Sequence, residues 1–129
     1  MLDKRKFYIN GKWISPSKSN DLEVINPSNE DAYAVISLGS KDDVDKAVNA
    51  AKVAFESWKK TSKEEKLKLL EKLLEIYKKR FNEMAKAISD EMGAPMDWAT
   101  DVQTGSGQAH LEDFILRLKK FDFDEHFDS

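Results

Sequence analysis

The sequence predicts an α+β fold, mostly helical, in which two N-terminal β-hairpins are followed by three to four amphipathic helices. Three observations carry that expectation. An Asn-Gly pair at Asn10 and Gly11 sits between two short apolar runs. Two serine capping signatures, Ser40 with Asp43 and Ser62 with Glu65, each open a run whose apolar residues recur at steps of three and four. The composition, 40% hydrophobic and 35% charged, supplies a core and is too patterned for a disordered chain. At 129 residues one domain is the ceiling. The expected organisation is a single segment, with hairpins over residues 1–39, a helical region over 40–121, and over 122–129 the start of a strand or a tail.

Phe7, Tyr8 and Ile9 precede Asn10-Gly11, and Trp13 and Ile14 follow it. Both turn residues tolerate the positive φ that a type I′ turn demands, so a hairpin is predicted there. After a Ser-rich connection at 15–20, Leu22 to Ile25 and Tyr33 to Ile36 bracket the turn-rich insert Asn26-Pro27-Ser28-Asn29-Glu30. This predicts a second strand pair.

Ser40 then caps a helix whose face is formed by Val44, Ala47, Val48, Ala51, Phe55 and Trp58. Ser62 caps a longer run carrying Leu67, Leu70, Leu74, Tyr77, Phe81, Met84, Ile88 and Met92, ended by Gly93 with Pro95 beyond. Asn82 offers a second cap near Arg80, so this run is either one kinked helix or two. Met96 to Thr104 reads as helical. Gly105 and Gly107 read as an interruption, and Leu111, Phe114, Ile115 and Leu118 form a last amphipathic helix. Phe121 and Phe123 alternate with Asp122 and Asp124, the period of a strand.

The charge distribution and residue counts exclude several functions. Basic and acidic residues balance at 5 each over 1–40, stand at 13 to 10 over 41–90, and at 3 to 9 over 91–129, a net charge of −3. No basic face of the kind a phosphate backbone requires is present, so no nucleic-acid partner is expected. The charged start Met1 to Lys6 and the lack of a long apolar stretch predict neither a secretory signal nor a membrane span, and a cytoplasmic location is the expectation. The chain has no cysteine, hence no disulfide, thiolate nucleophile or zinc-thiolate site.

The remaining motifs for catalysis or metal binding are weak. Gly105-Ser106-Gly107 lacks the third glycine of a dinucleotide loop, His110 standing in its place, and lacks the flanking glycines of a nucleophile elbow, where Thr104 and Gln108 stand. The two histidines, His110 and His126, are too few and too far apart to define a metal site or proton shuttle. The acidic tail Asp122, Asp124, Glu125 and Asp128 has carboxylates suited to a hard cation but neither the glycine nor the spacing of a calcium loop. No metal site is assigned. The leucine run from Leu67 to Ile88 also takes in Leu69, Leu73 and Ile76; that breadth exceeds a two-position coiled-coil seam and predicts burial under other elements, with a partner-binding helix as the alternative.

The string Phe7-Tyr8-Ile9-Asn10-Gly11-Lys12-Trp13, followed by Val24-Ile25-Asn26-Pro27-Ser28-Asn29-Glu30, resembles the opening of the aldehyde dehydrogenase superfamily, with its INGxW hairpin and xNPxxxE turn. Ser40 to Trp58 is similar to that family's first helix. Lys63 to Gly93 resembles its long helical stretch ending in ExGKP, here Glu91-Met92-Gly93-Ala94-Pro95 with alanine in place of lysine. The resemblance implies part of an aldehyde-dehydrogenase-like α/β fold, of which this chain corresponds to about the first quarter. It implies a parent reaction in which a cysteine thiolate attacks an aldehyde, hydride passes to NAD or NADP, and a glutamate-activated water releases the carboxylic acid, with an asparagine steadying the oxyanion. Those residues and the nucleotide-binding motif lie downstream of this segment in the family, so no catalytic or cofactor residue is assigned and no cofactor is expected on this segment alone. In relatives the last helix helps line the aldehyde entrance, which makes Gln108, Leu111 and Ile115 the substrate-channel candidates, with core packing as the competing reading for Leu111 and Ile115.

Two readings follow. In the first the chain is the N-terminal segment of an NAD(P)-dependent oxidoreductase, whose apolar helix faces are covered by the remainder of the parent enzyme or by copies of itself in a homo-oligomer. In the second it is a stand-alone helical module that binds a protein partner through the leucine stripe.

Overall fold

Asn10 and Gly11 take φ of +52° and +74°, the left-handed pair of a type I′ turn, and they join β2 (Phe7–Ile9) to β3 (Lys12–Ile14). The register pairs Tyr8 with Trp13, whose ring centroids stand 5.2 Å apart. The expected second pair is also present: β4 (Asp21–Ile25) runs antiparallel to β5 (Ala32–Ser37), with a bulge between Val24 and Ile25. Asn26 closes the connecting turn, its Oδ1 accepting from the Ser28 N–H at 2.9 Å and its carbonyl from the Glu30 N–H at 2.8 Å. A short strand unforeseen from sequence, β1 (Leu2–Asp3), adds in parallel to β5, giving a three-stranded sheet in the order β1-β5-β4.

The computed structural model describes residues 1–124. These divide into two compact units, Met1–Lys60 with Ala87–Ala94, and Thr61–Lys86 with the chain from Pro95. The first holds both sheets and α1 (Lys41–Trp58). Ser40 caps α1 in a full capping box: the Asp43 N–H donates to Ser40 Oγ, and Asp43 Oδ2 accepts from the Ser40 N–H at 2.9 Å. The other Asp43 oxygen accepts from the Ser17 N–H at 2.8 Å, which ties the connection after β3 to the start of the helix. Ala34 and Ser37 of β5 and Asp43 are the buried residues of this unit.

The second unit is helical. Ser62 and Glu65 form the other capping box and open α2 (Lys63–Lys79). The long run then breaks: Arg80, at φ −104° and ψ 16°, leaves the helix for one residue and α3 (Phe81–Met92) follows. The sequence had left a kink and a break both open. The second half of α3, from Ala87, belongs to the first unit, as does Gly93, which ends the helix at φ +70°. From Met96 the chain is helical to Lys120, as α4 (Met96–Trp98), a wider π turn over Ala99–Thr104, and α5 (Gly105–Lys120).

The expected interruption at Gly105 and Gly107 is therefore corrected. Gly105 has helical dihedrals, φ −58° and ψ −41°, and the helix passes through. Gly107 serves clearance instead, since a Cβ there would lie 2.3 Å from Tyr77 Oη. Residues 121–124 form no strand, and the rest of the expected strand start or tail, 125–129, lies outside the described residues.

α2 and α5 pack along Leu67, Leu70, Leu74 and Tyr77 on one side and Leu111, Ile115 and Leu118 on the other. Ion pairs Lys78–Glu112 at 2.7 Å and Lys119–Glu71 at 2.9 Å bridge the two helices. Burial stops there. The predicted faces on α1 (Val44, Val48, Phe55, Trp58) and along α2 (Leu69, Leu73, Ile76) stay 41–55% exposed. The leucine stripe expected to lie under other elements is thus covered by α5 on one side only.

Candidate functional site

The three channel candidates all stand on α5. Gln108 and Leu111 are half-buried and Ile115 is 5% exposed, spaced so that all lie on the side that packs toward α2. Gln108 Nε2 donates to Glu112 Oε1 at 3.1 Å, and that carboxylate also holds Lys78. The Lys78 ammonium first, and the Gln108 amide second, hold the Glu112 carboxyl below the usual range. Beside these residues Leu74, Ile115 and Leu116 floor an open groove of about 590 Å³, rimmed by Glu71, Lys78, Glu112 and Lys119. An apolar floor with charges already paired across the rim suits packing against another surface.

Among the described residues every carboxyl whose pKa moves, Asp3, Asp43, Glu65, Glu75 and Glu112, moves down, because each accepts hydrogen bonds from a neighbouring donor. Ser106 Oγ is turned back onto its own helix, donating to the Val102 carbonyl at 2.7 Å, as Thr100 Oγ1 does to Met96 at 2.6 Å. His110 is exposed, and His126 lies outside the described residues. No group of three or more His, Cys, Asp or Glu that could hold a metal ion occurs among the described residues, and none of their helices is long and apolar enough to cross a membrane.

Among the described residues, Gln103 Oε1 in the π turn is a buried acceptor with no hydrogen-bond partner. Nothing in the sequence marked it, since a glutamine in a helical run carries no pattern of its own.

The comparisons with known proteins agree with this element order. The model of the aldehyde dehydrogenase family matches residues 13–127. The chain is similar to a 3-succinoylsemialdehyde-pyridine dehydrogenase of a Pseudomonas species, 42% identical over 97% of this chain and 26% of the relative. It is similar in structure to an aldehyde dehydrogenase from Bartonella henselae, with TM-score 0.96 and 59% identity over 97% of this chain and 26% of that one. It is also similar to aldehyde dehydrogenase C from Pseudomonas syringae, solved with NAD+ and octanal, with TM-score 0.93 and 35% identity over 96% of this chain and 26% of that one. The chain therefore spans about a quarter of the length of the relatives it matches. The family model covers most of this sequence, and the chain belongs to the aldehyde dehydrogenase family.

Proposed function

We propose that this chain supplies the N-terminal quarter of an enzyme that oxidises an aldehyde to a carboxylic acid with NAD or NADP as hydride acceptor, and that the catalytic and nucleotide-binding groups come from outside these 129 residues. The observation that carries the reading is the absence of cysteine in a chain matching a quarter of its relatives' length. A thiol-dependent oxidation requires a sulfur nucleophile, and this sequence encodes none.

In this reading the segment's work is structural. Its exposed helix faces on α1 and α2 are packing surfaces for the remainder of the parent enzyme or for further copies of the chain in a homo-oligomer. Gln108, Leu111 and Ile115 belong to the aldehyde entrance. Leu111 and Ile115 contribute by fixing α5 on α2, while Gln108, tethered to Glu112, has a polar group to offer a substrate. The exposed Leu69-Leu73-Ile76 stripe also suits a stand-alone interaction module, but the family match across residues 13–127 favours the enzyme segment.

The experiment is to incubate the purified chain with short and medium aldehydes and either NAD+ or NADP+ and follow nicotinamide reduction. No turnover is expected. Acid formation by uncontaminated chain would overturn the proposal.

A further inference from the structure

Helices disfavour glycine, yet Gly105 and Gly107 lie within an unbroken helical path, so the second unit gains something there that a side chain would prevent. The clearance at Gly107 identifies it: an added Cβ would stand 2.3 Å from Tyr77 Oη and 3.0 Å from Cζ. With glycine in place, the phenol reaches the helix backbone and donates to the Thr104 carbonyl at 3.0 Å. Thr104 is fully buried, and its hydroxyl donates to the Ala99 carbonyl, five residues back, at 2.8 Å. Both bonds fall on Ala99–Thr104, the one stretch of the helix wound in the wider π form.

We propose that the Tyr77 hydroxyl is a latch that holds a one-residue register shift in the helix from Met96 to Lys120. Releasing it lets Ala99–Thr104 rewind as α-helix, with the extra residue moving out at the Met96 end. An α-helix turns about 100° per residue, so rewinding rotates the stretch before Gly105 by that amount against α5. Trp98 and Val102, both exposed, then change the direction they face. The helix has two arrangements, and the phenol selects one.

The test is Tyr77→Phe in the full chain, read by backbone amide hydrogen exchange. The variant keeps the ring and its edge-to-face contact with Phe81, 6.2 Å between centroids at 84°, and loses only the hydroxyl. Exchange across residues 99–107 is expected to quicken about tenfold, the order of one net hydrogen bond, with rates in the sheets and α1 unchanged. Gly107→Ala, which displaces the phenol by volume, should quicken exchange over the same residues. Wild-type exchange at 99–107 in Tyr77→Phe, or uniform acceleration over the whole chain, would each overturn the proposal.

Discussion

Gly93 answers two demands at once, and the cost of replacing it can be worked from the structure. Its φ of +70° is left-handed, which costs an L residue about 1–2 kcal/mol. A Cβ at this position would also lie 2.7 Å from Pro27 Cγ, roughly 1 Å inside an ordinary carbon–carbon contact. Pro27 cannot swing away, because its ring fixes φ and it sits in a turn closed by Asn26. Overpacking of that kind costs about 1–3 kcal/mol, so Gly93→Ala should lose about 2–5 kcal/mol in all. Gly11 supplies the control: its φ is +74°, yet no atom lies within 4 Å of an added Cβ, so Gly11→Ala should lose only the backbone share, about 1–2 kcal/mol. Urea unfolding of the two variants beside the parent chain, compared by midpoint at equal slope, reads the difference. Equal losses would refute the Pro27 contact, and a Gly93→Ala variant as stable as the parent would refute both parts of the reasoning.

Asp43 should give the chain an acid-sensitive limb. The Ser40 hydroxyl, the Ser40 N–H and the Ser17 N–H hold its carboxyl well below the usual range, so the stabilisation is present above the unfolded value near about pH 4 and is lost as pH falls through the lower folded value. Asp43→Asn is expected to melt lower than the parent at neutral pH and to show a flatter decline on acidification; equal melting at neutral pH would contradict the three-donor account. Ser62→Ala should remove the side-chain half of the second capping box and cost about 1 kcal/mol, measured as a shift in the urea midpoint of the helical signal, while a shift near zero would show that α2 starts without its cap.

Local chemistry in the sequence carried most of the fold. Asn10-Gly11, Ser40 with Asp43 and Ser62 with Glu65 each specify a backbone conformation through one or two neighbours, so their elements were readable residue by residue. Elements set by distant contacts were not readable in this way. β1 is two residues long, and its pairing of Leu2 with Ala34 depends on a strand more than thirty positions away. Gly105 and Gly107 show the ambiguity most sharply, since a glycine that ends a helix and one that admits a tyrosine hydroxyl look alike until the partner is placed. The breadth of the leucine stripe predicted burial under other elements, and among the described residues only the side facing α5 is covered, while Leu69, Leu73 and Ile76 stay exposed. As for the candidate site, the sequence led to α5 and to Gln108, Leu111 and Ile115, but the Gln108–Glu112–Lys78 chain of contacts was hidden, because it joins two helices.

The exposed helix faces are the basis for the proposed packing against the parent enzyme or further copies. Each large apolar side chain brought fully out of water is worth about 1.5–3 kcal/mol, and Val44, Val48, Phe55, Leu69, Leu73 and Ile76 all leave part of that unrealised. Light scattering of the purified chain over a concentration series, with a dye that fluoresces on apolar surface, tests this most directly. The mass should rise above that of one chain with concentration, and dye fluorescence should fall as association proceeds. A single-chain mass at every concentration, with no dye response and one cooperative melt, would contradict it.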